Sequence, residues 1–335
     1  MQNNFKNKNK QVGVLITNLG TPDSPTKKDL KKYLNQFLMD KRVVDLSRLF
    51  WVPLLKLIIL NVRPKKSAKL YKSIWTAQGS PLLAMSKNIL RSLKHTFAED
   101  ERDITFDLGM RYGNPSIEEA LKRFKDKSIS KILVLPLYPQ AGSPTTSSTL
   151  DAVNLHLRTQ TWTPNLRFIS GYHDNKDYIN SLSNSIKNSF SKNGKPDKLI
   201  FSYHGMPERY LHEGDPYYCF CHKTTRLVAE SLNLDKDHYA MAFQSRFGYE
   251  KWLQPYLDDM IPEMAKSGVN HLQIISPGFS VDCLETLEEI NIQYHELFES
   301  HGGKKFNYIP CLNDSNDQLE MIKNLILENI KGWDL

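Results

Sequence analysis

The sequence predicts an α/β protein in two halves, each a parallel sheet covered by helices. Three observations carry that prediction. Eight short β-branched or aromatic runs recur along the 335 residues, longer segments of helical period separate them, and a polar stretch rich in Ser, Asn and Lys interrupts the series near its middle. Strands that alternate with helices pair in parallel, because each helical crossover returns the chain to start the next strand in the same direction.

The first run, "VGVLITN" (12–18), is apolar enough to be a central strand. In the following "PTKKDLKKYLNQFL", Leu30, Tyr33, Leu34, Phe37 and Leu38 recur at i, i+3, i+4, i+7 and i+8, and Thr26 with Asp29 suits a capping box. Next comes "LFWVPLLKLIILNVRPKKSAKLYKSIWTAQGSP" (49–81), a greasy segment followed by Arg63, Lys65, Lys66, Lys69 and Lys72. It reads equally as an amphipathic core helix, as the lip of a site for a flat acidic ligand, or as a membrane-facing surface. "ITFDLGM" (104–110), "KILVLPL" (131–137) and "LRFIS" (166–170) supply three more strands of the first half. The polar "SNSIKNSFSKNGKPDK" (183–198) then marks a divide near 170–195. "KLIFSYH" (198–204), "YAMAFQS" (239–245), "HLQIISP" (271–277) and "FNYIP" (306–310) are the strands of the second half.

With 40% hydrophobic and 24% charged residues the chain has the composition of a folded soluble protein. The formal charge of +7 is modest for this length, and no Lys/Arg block is interleaved with aromatics, so nucleic acid is not an expected partner. The four cysteines, 219, 221, 283 and 311, form no disulfide framework and suit a reducing compartment. The opening "MQNNFKNKNKQ" lacks the apolar core of a signal peptide. The longest apolar run, 49–60, is broken by Pro53 and Lys56 and falls short of the roughly 20 residues that span a bilayer. A cytoplasmic protein is expected, with peripheral contact at the inner membrane through the 49–72 segment.

Unusual chemistry gathers at the strand ends: "NLGTP" (18–22), "MRYG" (110–113), "LYPQAGSPTTSS" (137–148), "SYHG" (202–205), "FQSRFG" (243–248) and "SPGFS" (276–280). In open α/β sheets ligands bind outside the carboxyl ends of the strands. His204 ends an apolar strand and precedes Gly205, which suits either a backbone-bonded histidine or a base or metal ligand. "CFCH" places Cys219, Cys221 and His222 too close together to close a zinc tetrahedron, and no second ligand pair follows at finger spacing. In "PGFSVDCLETLEEINIQYHE" (277–296), Asp282, Glu285 and Glu289 fall at i, i+3 and i+7, on one face of an α-helix, while Cys283, Leu287, Ile290 and Tyr294 face elsewhere and can pack. That stripe is either a solvated surface or, beside His204, a site for a divalent ion such as Fe²⁺.

These motifs carry a resemblance. "SYHGMPERYLHEGDPY" resembles the ferrochelatase signature, and "NLGTP", "YPQ", "FQSRFG-YEKWLQP" and "PGFSVDCLETLEEI" follow in that family's order, from Val12 to the C-terminal helix. The resemblance implies two Rossmann-like domains with four-stranded parallel sheets and a porphyrin cleft between them. The first would span 12–175, carry the lip 49–81 and be joined by the C-terminal helix 315–335; the second, 176–314, would carry the catalytic residues. It implies insertion of ferrous iron, a substrate, into protoporphyrin IX, with no nucleotide cofactor. A chelatase for coproporphyrin III or another ion, or a haem-binding protein without turnover, is the rival reading.

By motif position His204 and Glu285 match the catalytic and metal-contacting pair, and Asp282 and Glu289 the acidic track. Leu19, Arg111, Tyr112, Trp252 and Phe279 match residues lining the macrocycle, and Arg63, Tyr71 and Ser80 those near its propionates. Cys283 stands where mitochondrial relatives carry histidine, as in Gram-negative bacterial members. Ser143 occupies the loop position of a cluster cysteine, and no cysteine follows Cys311, so a [2Fe–2S] cluster is not expected.

Overall fold

The computed structural model describes residues 11–98 and 102–333. Residues 1–10, central to the signal-peptide argument, and the last two residues of the expected C-terminal helix lie outside them. All eight expected runs form strands: β1 Val12–Thr21, β2 Ile104–Gly113, β3 Lys131–Pro136, β4 Asn165–Phe168, β5 Lys198–His204, β6 Tyr239–Gln244, β7 His271–Ile275 and β8 Lys305–Ile309. They make two four-stranded parallel sheets of orders β2-β1-β3-β4 and β6-β5-β7-β8. The chain divides into two compact units. The first reaches to Leu137 and takes in Ser143–Gly171 and Leu319 onward; the second holds Tyr138–Gly142 and Tyr172–Gln318.

In the first unit β1 runs three residues past its expected end, and Gly20 explains why. It pairs with Tyr112 at φ +105°, and a Cβ there would lie 1.7 Å from the Tyr112 carbonyl oxygen. Only glycine lets the two strands stay in register. Leu15, Ile132 and Val134 bury one face of this sheet against Leu121 and Phe124 of helix Ile117–Asp126. Each such side chain contributes about 1.5–3 kcal/mol of burial before chain entropy is counted. Helix Lys27–Leu38 covers a second cluster through Tyr33, Leu34 and Leu38, joined by Trp51, Leu55 and Tyr112. Its N-cap is Thr26, whose Oγ1 accepts from the Asp29 N–H at 3.3 Å, while the Asp29 carboxylate accepts from Ser24. The reciprocal half of the expected capping box is thus taken by Ser24.

In the second unit Ile200, Ala242 and Ile274 pack with Leu257, Ile261, Ile290 and Phe298. The polar stretch at 183–198 is no linker: most of it is the end of helix Lys176–Asn193, which buries Tyr178, Ile179, Leu182 and Ile186. Asn180, Asn184, Asn188 and Ser191 face solvent while Ser181 and Ser183 are buried, and the units part at Gly171/Tyr172, within the expected 170–195 range. Among the described residues no helix is long and apolar enough to cross a membrane.

Candidate active site

Strand β5 delivers His204 to the carboxyl edge of the second sheet, in register with Gln244 of β6. The next residue must be glycine for want of space: a Cβ on Gly205 would lie 2.8 Å from the Gln244 carbonyl oxygen and 3.0 Å from the Trp252 ring. The Gly205 N–H donates to that same carbonyl at 2.8 Å. His204 is half-buried, and its Nδ1 lies 2.7 Å from the Gly205 carbonyl oxygen. A carbonyl only accepts, so Nδ1 donates there, and Nε2 is the ring nitrogen left to take up a proton or meet a metal ion. Tyr217 donates from its hydroxyl to the His204 carbonyl at 3.0 Å, fixing the strand end from behind.

After β7 the chain turns through 276–280 and enters a helix whose central ten residues, Glu285–Tyr294, are wound as a π-helix. Helical wheels drawn at 3.6 residues per turn fail there, because each i→i+5 turn holds an extra residue. Cys283, Ile290 and Tyr294 are buried as expected, but Leu287 is only half-buried and Glu288 is buried in its place. Gln293 donates to the Glu288 carboxylate at 2.6 Å, and burial raises the pKa of that group. The α-helical pattern had no reason to single out Glu288.

The acidic stripe also loses its first member. Asp282 precedes the helix and is buried, its carboxylate accepting from Tyr308 (2.6 Å), Asn313 (2.7 Å) and Thr286 (3.0 Å). It anchors the helix start to the end of β8.

Glu289 is also held by several donors. Its Oε2 accepts from the Ser245 hydroxyl and from Gln244 Nε2 (3.1 Å), and its Oε1 from the Tyr294 hydroxyl (3.3 Å). Gln244 also donates to the Glu285 carbonyl oxygen at 2.8 Å, while its own amide oxygen accepts from Ser202 at 2.7 Å. This one side chain therefore locks the ends of β5 and β6 to the π-helix. Ser245 reaches Glu289 from a left-handed backbone, φ +65°. Burial raises the Glu289 pKa; the Ser245 hydrogen bond and the nearby His204 oppose this, and Glu285 adds to it. His204, Glu285 and Glu289 thus share one electrostatic neighbourhood. Sequence reading flagged "FQSRFG" as an unusual strand end but gave Gln244 and Ser245 no role.

A carboxyl group whose pKa is raised by folding binds protons more tightly in the native state, so its ionisation costs stability as pH rises above the ordinary range. Glu289→Gln is accordingly expected to raise the melting temperature at about pH 7.5 and to leave it unchanged at about pH 3, below the carboxyl's pKa in both the folded and the unfolded chain. Thermal melts at the two pH values check this, and an equal shift at both would remove the charge from the explanation.

Other predicted side chains are placed as follows. Trp252 is buried against Gly205, and Phe279 is half-buried beyond β7. In the first unit Leu19 is half-buried, Tyr71 and Ser80 are buried, and Arg63 is exposed. Tyr112 departs from expectation: it is 2% exposed, and its hydroxyl bonds to Asp40 (2.8 Å) and Ser148 (3.0 Å). Its hydroxyl is thus tied into the polar network of the first unit. Arg111 joins the same network. Of the cysteines in "CFCH", Cys219 is exposed and Cys221 buried in helix Tyr217–Ser231. Among the described residues no three His, Cys, Asp or Glu side chains converge on a point that would hold a metal ion.

Comparison with known proteins adds a consistent result. The family model described as Ferrochelatase matches residues 11–330. Ferrochelatase 2 of Shewanella oneidensis is 51% identical over 316 residues, covering 94% of this chain and 97% of the relative. A ferrochelatase of Hydrogenovibrio crunogenus is 50% identical over 327 residues, covering 96% and 86%. Among solved structures, SirB from Bacillus subtilis with Fe³⁺ aligns with a TM-score of 0.59 at 9% identity, covering 96% of both chains. At that identity the likeness is one of fold.

Proposed function

This chain belongs to the ferrochelatase family, and on that premise we propose that it inserts Fe²⁺ into protoporphyrin IX, giving protohaem and two protons. The observation that carries the reading is His204, its Nδ1 held by the Gly205 carbonyl, in one neighbourhood with Glu285 and Glu289. Metallation must remove two pyrrole protons, strip water from the ion and bend a flat ring so that a nitrogen lone pair is exposed. His204 accepts a pyrrole proton. Glu285 meets the incoming ion, and Glu289, with its raised pKa, is suited to take protons onward. Leu19, Trp252 and Phe279 support the bent ring, a geometry nearer the transition state than the free substrate. Arg63 faces the propionates, and Arg111 lines the macrocycle. The test is a steady-state comparison of protoporphyrin IX with coproporphyrin III, each with Fe²⁺ under anaerobic conditions. Preference for protoporphyrin supports the assignment; preference for coproporphyrin overturns the substrate while leaving the chemistry.

No iron–sulfur cluster is part of this reading, for which Ser143 at the loop position of a cluster cysteine argues. Stoichiometric inorganic sulfide in anaerobically purified protein would contradict it.

The 49–72 segment supports contact with a membrane surface from the cytoplasmic side. Leu49 (85%), Phe50 (81%), Leu57 (73%) and Val62 (70%) are exposed, whereas Trp51, Leu55 and Leu60 turn inward. A row of exposed apolar side chains bordered by the exposed Lys56, Lys65, Lys66 and Lys69 fits the interface of an anionic bilayer, each near-surface charge contributing on the order of 1 kcal/mol. Substrate and product are both poorly soluble in water, so docking eases their transfer. In flotation with vesicles containing phosphatidylglycerol, wild type is expected to rise with the lipid and Leu49/Phe50/Leu57→Ser to stay behind. Equal behaviour of the two would make the ridge irrelevant to lipid.

A further inference from the structure

The most heavily bonded carboxylate of the first unit is one to which the reading above gives no task. Asp40 follows helix Lys27–Leu38, and its Oδ1 accepts from the Arg42 N–H at 2.7 Å, forming a tight turn. Its Oδ2 accepts from Ser148 Oγ (2.6 Å), the Tyr112 hydroxyl (2.8 Å) and Arg111 Nη2. Arg111 Nε donates in turn to Ser148 Oγ at 2.6 Å. The side chains of Arg111 and Asp40 are 20% and 8% exposed, so the pair lies largely out of water. The neighbouring cation, Arg42, is turned to Asp151 at 2.8 Å. Arg111 directly follows Met110, which pairs with Asn18, so it stands level with Leu19 at the carboxyl end of the first sheet.

A partly buried guanidinium attracts a ligand carboxylate only while its charge is unbalanced, and Asp40 balances it. A carboxylate brought close would instead meet the negative end of the pair. We propose that Asp40 sets the choice of porphyrin by neutralising Arg111, so that a macrocycle carrying carboxylates beyond two propionates finds no unpaired cation at this edge. The inference rests on the reading that Arg111 faces the porphyrin. Under it, Arg111 contributes a planar, uncharged-in-sum surface to the site, and Asp40 acts through Arg111 without touching substrate.

The test measures kcat/KM for protoporphyrin IX and coproporphyrin III, with porphyrin affinity followed separately by fluorescence quenching. Asp40→Asn is nearly isosteric, gives up one of the two acceptor oxygens and removes the charge; it is expected to raise the coproporphyrin-to-protoporphyrin ratio at least tenfold, chiefly through KM. Arg111→Gln leaves the carboxylate unbalanced and is expected to lower the ratio below that of wild type. Ser148→Ala removes three hydrogen bonds but no charge, and is expected to leave the ratio within twofold. A ratio unmoved in Asp40→Asn overturns the proposal, as does a ratio moved equally by Ser148→Ala. Should Asp40→Asn fail to fold, an unchanged or raised ratio in Arg111→Gln overturns it. A wild type that metallates neither porphyrin would instead refute the functional reading on which the proposal rests.

Discussion

His204→Ala is expected to abolish porphyrin metallation while the protein stays folded. The imidazole is half-buried and its side chain bonds to the Gly205 carbonyl, so its loss opens little apolar core. What disappears is the basic Nε2 at the end of β5, and neither Gln244 nor Ser245 is a base that could take its place. Loss of a general base ordinarily costs 10²–10⁴-fold in rate, about 3–5 kcal/mol of barrier. Circular dichroism and anaerobic turnover measured on the same preparation check both halves. A folded variant keeping more than about a tenth of the wild-type rate, a barrier change of less than about 1.4 kcal/mol, would remove His204 from the mechanism.

The second large effect is expected at Glu285. Glu285→Gln should lower turnover at saturating porphyrin by at least about tenfold, about 1.4 kcal/mol, while porphyrin affinity changes little. Gln244 holds the backbone carbonyl of residue 285, not its side chain, so the isosteric change leaves the π-helix attached to β6. Charge and basicity are lost; position is kept. A collapse of porphyrin affinity with unchanged turnover at saturation would make Glu285 a binding residue.

How much of this was legible in the sequence depends on what each feature leaves in the residue pattern. The eight strands were visible because buried parallel strands are continuous apolar runs, and because helices of regular period fill the intervals. His204 and Glu285 were visible through their motifs. The π-helix was not: an i→i+5 turn changes no residue type, so Asp282, Glu285 and Glu289 counted as one stripe although Asp282 lies before the helix in a nest of hydrogen bonds. Helix Lys176–Asn193 was read as a divide because its Ser and Asn residues outnumber the few positions, Ile179, Leu182 and Ile186, that pack. Tyr112 looked like a ligand-facing aromatic since its partners, Asp40 and Ser148, stand 72 and 36 residues away in the chain. Long-range polar partners leave no local trace, and Asp40 itself read as nothing more than the residue after a helix.

The most direct measurement is anaerobic mixing of the purified protein with Fe²⁺ and protoporphyrin IX in weakly buffered solution, following the Soret and visible bands together with a pH indicator. The account predicts conversion of the porphyrin spectrum to that of protohaem, catalytic in protein, with two protons released per haem formed and in step with it. Porphyrin that binds without spectral conversion, or iron that enters no faster than in the absence of protein, would contradict it.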